Sequence, residues 1–132
     1  MRTSGGLQIR DLLLHIPFDI GEFWSWLRFK FNSSALIVEC KNYTQPLKPN
    51  QVVISNKYLG RKRLGQLGLV ISRRGLGAGA KLEQKRIWND ENNLTVSLAD
   101  EQLVRMLTLK DEAKDPALVV DAEIRRFLEL LP

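Results

Sequence analysis

Glu39, Cys40 and Lys41 close an otherwise apolar run, Ala35-Leu36-Ile37-Val38, and here the 132-residue chain concentrates its chemistry. On a strand, residues two apart project to the same face. Glu39 and Lys41 are therefore expected side by side, with Cys40 pointing the other way, into the core. Burying charge is costly unless the charge is paired or bound to metal. Asp11 repeats the theme as one acid inside the apolar segment Leu7-Gln8-Ile9-Arg10-Asp11-Leu12-Leu13-Leu14-His15-Ile16. If the two segments are neighbouring strands, Asp11 and Glu39 converge with Lys41 beside them. Two carboxylates suit a hard cation such as Mg²⁺ or Mn²⁺, held through oxygen. Such an ion polarises a phosphoryl oxygen and lowers the pKa of a bound water. A lysine can orient or deprotonate that water and offset charge developing on phosphorus. The backbone carbonyl of Cys40 can complete the metal shell. This is the chemistry of phosphodiester hydrolysis. The plainer alternative is a Glu–Lys surface pair on an edge strand, and Glu-x-Lys alone leaves both open.

The positioning elements follow from periodicity. Residues 7–16 read as a strand ended by Pro17. Residues 19–31 switch to helical spacing, with Ile20, Phe23, Trp24, Leu27 and Phe31 on one face and Asp19 as N-cap. Trp26 and Phe29 fall on another side, where they cover a neighbouring element or meet a partner chain. Residues 35–43 are the clearest strand, and 44–50, with two prolines, form a turn. Residues 50–64 are ambiguous. Val52-Val53-Ile54 favours strand by propensity, whereas the residues after it favour a helix ending near Gly60. Residues 66–72 read as a buried strand, 80–92 as a helix with Leu82, Ile87 and Trp88 apolar, and 94–98 as a short strand. A helix follows from about Asp100, with Ala99, Leu103, Met106 and Leu107 on one face. Asp115-Pro116 opens a last helix with an apolar stripe of Val120, Ile124, Phe127, Leu128 and Leu131. The order is that of a layered α/β domain.

Leu36-Ile37-Val38-Glu39-Cys40-Lys41-Asn42-Tyr43 resembles the Glu-Cys-Lys-Asn signature of PD-(D/E)xK restriction-endonuclease-like proteins, including Mrr-like restriction enzymes. Ile9-Arg10-Asp11-Leu12 is similar to that family's upstream Asp strand, with Arg10 where the family name has proline. Gln66-Leu67-Gly68-Leu69-Val70-Ile71-Ser72-Arg73 looks like its next core strand, which is reached through a helix. The resemblance thus resolves residues 50–60 as helix. It spans roughly residues 5–75 and is most specific at 36–43. It implies a restriction-endonuclease-like mixed sheet flanked by helices in one domain over 1–132, with a core at 5–98 and C-terminal helices at 99–131. It also implies a metal-dependent endonuclease acting on nucleic acid, DNA above all, in a bacterial defence or DNA-processing setting. Asp11, Glu39 and Lys41 would be its catalytic core, and Asp11, Glu39 and the Cys40 carbonyl would hold Mg²⁺ or Mn²⁺. Gln51 stands where some members place a further polar group near the site. The family core opens with a helix and a strand before the Asp strand, and ten residues precede Asp11 here. A shortened N-terminal core is the expectation, its missing elements lying in a longer parent protein, supplied by another subunit or a larger complex, or absent. The rival reading is a catalytically inactive module of the same fold that binds nucleic acid or assembles with partners.

Charge bears on the partner. The net charge is +5, from 20 Lys and Arg against 15 Asp and Glu, which is compatible with a polyanion. From Lys57 to Arg86 nine basic residues face only Glu83, whereas the segment from Asp90 onward is mostly acidic. Lys57, Arg61, Lys62 and Arg63 form one cluster, Arg73 and Arg74 a second. With Asn42 they are the nucleic-acid contacts expected from charge density, against a solvated surface as the alternative. One cysteine and one histidine leave neither a disulfide nor a His- or Cys-built metal site. The apolar runs are too short to span a membrane and no secretory signal is evident, so a cytoplasmic setting is expected. His15 reads as a strand-end residue, and Trp88 as core rather than a base-stacking platform. Gly75, Gly77 and Gly79 form a flexible loop without the Gly-Lys-Ser/Thr end of a P-loop.

Overall fold

The computed structural model describes residues 12–16 and 21–131. Asp11 and Asp19 lie outside the described residues. The elements run β1 (Leu12–His15), α1 (Glu22–Lys30), β2 (Ala35–Lys41), α2 (Pro49–Asn56), β3 (Leu67–Ser72), α3 (Ala78–Glu91), β4 (Leu94–Leu98), α4 (Asp100–Asp111) and α5 (Ala117–Glu129). The order of the described elements is the one expected, with periodicity giving all of them but α2. The ambiguous segment after Pro49 is helical, because Pro49 opens the first turn and the Gln51 side chain accepts from the Lys48 N–H at 2.8 Å.

The sheet is four-stranded and mixed, in the order β1-β2-β3-β4. β1 runs antiparallel to β2, with Leu12 opposite Val38 and His15 opposite Ala35. β2, β3 and β4 are parallel, Glu39 lying beside Val70, and Val70 beside Ser97. Parallel neighbours require a crossover, and α2 and α3 supply one each.

Register assigns the two faces. Leu36 and Val38 of β2, Leu67 and Leu69 of β3, and Leu94 and Val96 of β4 share one face. They form a single buried cluster with Leu27 and Phe31 from α1 and its end, and with Val119, Val120 and Ile124 of α5. A smaller cluster of Val52, Ala80 and Ile87 joins α2 to α3 across the other face. The helices therefore form two outer layers around the sheet. Trp26 belongs to this packing: its ring meets Phe31 edge-on and carries the Arg125 guanidinium 4.9 Å above its centroid. Phe29 is 87% exposed. Leu82, one of the apolar residues of α3, and Leu107, placed on the Leu103–Met106 face of α4, are exposed, and Leu109 packs on the core from α4.

The strands' entry end is closed tightly. The Ser34 N–H donates to the Leu64 carbonyl at 2.9 Å, and Gly60 and Gly65 form an antiparallel bridge. Gly65 is obligatory here: a Cβ built on it would lie 2.7 Å from the Ser33 Cα. At the far end of α3, Asn92 caps the helix in the left-handed region at φ 58° and donates its N–H to the Trp88 carbonyl. We predict that Gly65→Ala lowers stability by about 1–3 kcal/mol, because the Ser33 backbone must shift to admit the methyl group. Urea unfolding measures this; an unchanged midpoint would show that the contact yields freely.

Candidate active site

β2 positions the two charged side chains exactly by alternation. Ala35, Ile37, Glu39 and Lys41 project to one face, and Glu39 is 4% exposed although it lies two residues from the strand's end. Lys41 Nζ lies 3.4 Å from Glu39 Oε2. That exceeds the roughly 2.7–2.9 Å of a tight charge-assisted hydrogen bond. The ammonium therefore offsets the carboxylate's charge without clamping it. Among the described residues, Lys41 is the carboxylate's only ion-pair partner. Both side chains are largely covered, although the described part of β1 pairs with β2 only as far as Val38, and β3 alone flanks Glu39 to Lys41 among the described residues.

Cys40 is a correction. Alternation places it on the face opposite Glu39, as expected, but its side chain is exposed rather than in the core. The buried cluster on that face ends at Val38 along β2, so the next same-face position emerges beyond the cover of α1 and α5. Its carbonyl stays a main-chain oxygen between Glu39 and Lys41. Gln51 points elsewhere than the site: its Oε1 is engaged by the Lys48 N–H at the start of α2. Among the described residues no group of three acidic, His or Cys side chains gathers. The second carboxylate expected, Asp11, lies outside the described residues, and Leu12, the next residue in sequence, faces Val38.

Topology divides the basic residues expected to meet nucleic acid. Asn42 follows Lys41 directly, and Arg73 and Arg74 follow Ser72, the residue beside Lys41 in β3. These three are exposed at the same end of the sheet as Glu39. Lys57, Arg61, Lys62 and Arg63 are also exposed, but α2 has carried the chain back to the opposite end. There Arg61 shares a hollow with Arg28, Asn32, Ser33 and Ser34, at the start of β2. The seven residues of β2 separate the two ends by about 20 Å. One short phosphate track on the surface therefore does not join that cluster to Glu39.

Arg73 and Arg74 also differ from each other. Arg73 Nε donates to Asp100 Oδ2 at 2.8 Å. That hydrogen bond, followed by the charge of Asp100, pushes the guanidinium's pKa up. Arg74 has no such partner among the described residues, and it lines a cleft with Lys81, Lys85 and Ser97. Lys81 and Lys85 belong to the basic stretch but were not expected at a site. Their i, i+4 spacing on α3 was the available signal, since it places both on one helix face.

In comparisons with known proteins, no family model, curated protein or solved structure matches the chain.

The burial of Glu39 makes a measurable difference. Lys41→Ala leaves the carboxylate without its counter-ion and should cost about 1–3 kcal/mol. Replacing both partners, as in Glu39→Leu with Lys41→Met, should recover most of that loss. Denaturant unfolding of the three proteins distinguishes this from an exposed pair, for which each change would fall below about 1 kcal/mol.

Proposed function

We propose that the chain is a metal-dependent nuclease of the PD-(D/E)xK type, which hydrolyses phosphodiester bonds in nucleic acid, DNA foremost. The observation that carries this reading is the Glu39–Lys41 pair, a carboxylate 4% exposed and an ammonium 3.4 Å away at the exit of an interior strand. Further support comes from the helix between β2 and β3, which the family resemblance required and propensity alone did not. The mixed α/β sheet flanked by helices is consistent with a restriction-endonuclease-like core.

The donor set fits a hard divalent cation. Mg²⁺ needs only one or two protein carboxylates and keeps several waters. Glu39 and the Cys40 carbonyl would hold it, with Asp11 as the second carboxylate. When bound, Mg²⁺ or Mn²⁺ supplies Lewis-acid activation of the phosphoryl group and a more acidic water. Glu39 fixes the negative charge that attracts the cation. Lys41 orients the attacking water and counters the charge that gathers on phosphorus as the new P–O bond forms. Arg74, Arg73 and Asn42, at the same end of the sheet, take the phosphates that flank the scissile bond. The cluster at Lys57 and Arg61–Arg63 would contact only more distant backbone, or a different molecule.

The test is cleavage of plasmid and single-stranded DNA with Mg²⁺ or Mn²⁺. Glu39→Ala and Lys41→Ala should each lower the rate about 100-fold or more, as should Asp11→Ala. No cleavage by the wild type in its native assembly, or cleavage unchanged in both the Glu39 and Lys41 variants, would overturn the proposal.

A further inference from the structure

A second concave feature opens where β4 ends, separate from the Glu39–Lys41 pair. It is a cleft of about 360 Å³, bounded by β4 and by residues of α3 and α5. That volume lies near the lower end of the range for small-molecule sites, roughly 300–1,000 Å³. Its apolar wall includes Val96, Phe127 and Leu130. The Phe127 ring is held perpendicular to Trp88, with centroids 6.2 Å apart, so the wall presents an aromatic group fixed by core packing.

The rim is cationic. Arg74 comes from the turn after β3, Lys81 and Lys85 from adjacent turns of α3, and Arg126 from α5. Two carboxylates, Glu101 and Glu123, also line the cleft. Glu123 is taken by Arg126 at 3.4 Å. Arg74, Lys81 and Lys85 have no carboxylate partner among the described residues, which leaves three cations against Glu101. The Ser97 Oγ is buried at the cleft and has no hydrogen-bond partner among the described residues. A buried hydroxyl without a partner is uncommon and marks a position where a ligand atom can complete the bonding.

We propose that this cleft binds a small organic phosphate with a flat apolar body, the chemistry of a nucleoside monophosphate. The base lies against Phe127, and the phosphate is held by Arg74, Lys81 and Lys85. Arginine supplies a planar fork of donors and the lysines supply point charges. The site is not a P-loop: its cations come from a helix face and a turn rather than from a glycine-rich motif. It does not depend on Glu39, so binding and hydrolysis can succeed or fail separately. The same nucleotide chemistry has two sources, a free mononucleotide or the phosphorylated end of a strand.

Calorimetric titration of the full chain in EDTA, with AMP, CMP, GMP and UMP as probes, tests the proposal. At least one mononucleotide should bind at least tenfold more tightly than adenosine or inorganic phosphate alone. Lys81→Ala with Lys85→Ala should weaken it at least tenfold, and Arg74→Ala should act in the same direction. Glu39→Ala should leave it unchanged. Circular dichroism checks that each of these substitutions leaves the fold intact. Competition by a 5′-phosphorylated oligonucleotide, but not by its unphosphorylated form, assigns the source as a strand end; no competition by either assigns a free nucleotide. No mononucleotide binding, binding no tighter than adenosine, or affinity unchanged in the Lys81/Lys85 double variant would overturn the proposal.

Discussion

A carboxylate held at 4% exposure beside a single ammonium is the constraint around which this structure is arranged. Desolvating Glu39 is unfavourable, and an ion pair at 3.4 Å offsets only part of that cost. The rest is sustained by the strand that carries it. β2 is paired with β1 from Ala35 to Val38 and with β3 from Ile37 to Lys41, and its first four residues are buried apolar positions. The pair thus costs stability at the strand's exit while the apolar half of β2 supplies it.

The parallel arrangement of β2, β3 and β4 decides what can act together. Each crossover helix returns the chain to the entry end, so residues that follow strands gather at one end and residues that follow helices at the other. Glu39, Lys41, Asn42, Arg73 and Arg74 belong to the first group, as do Ser97 and the cleft at the end of β4. Lys57 and Arg61–Arg63 belong to the second. The end with the buried pair is also where Arg74, Lys81 and Lys85, without a carboxylate partner among the described residues, meet a concave surface.

Much of this was legible in the residues. The order of elements follows from period except between Pro49 and Asn56, and the shared face of Glu39 and Lys41 follows from strand alternation. The resemblance resolved the helix at Pro49–Asn56, where Val52-Val53-Ile54 had argued for strand. What escaped has specific causes. Alternation gives the face on which Cys40 lies but not how far the helices covering that face extend. Charge density grouped Arg61–Arg63 with the motif because they follow it in sequence. Whether β2 and β3 run parallel, which sends them to the far end, is not written in local composition. Leu107 and Leu109 lie on different sides of α4, and only the packing of that helix shows which one is covered. The cleft needed tertiary structure, since Arg74, Lys81, Ser97 and Arg126 meet only after α3 and α5 take their places beside β4.

The proposed nuclease site requires Glu39 to hold a divalent cation beside Lys41. Titration of Mn²⁺ into the wild-type chain and into Glu39→Gln, followed by electron paramagnetic resonance of the ion, addresses it most directly. The account predicts that the wild type binds Mn²⁺ and that Glu39→Gln, with its fold intact, binds at least about tenfold more weakly. Equal binding by both proteins, or none by the wild type, would contradict it.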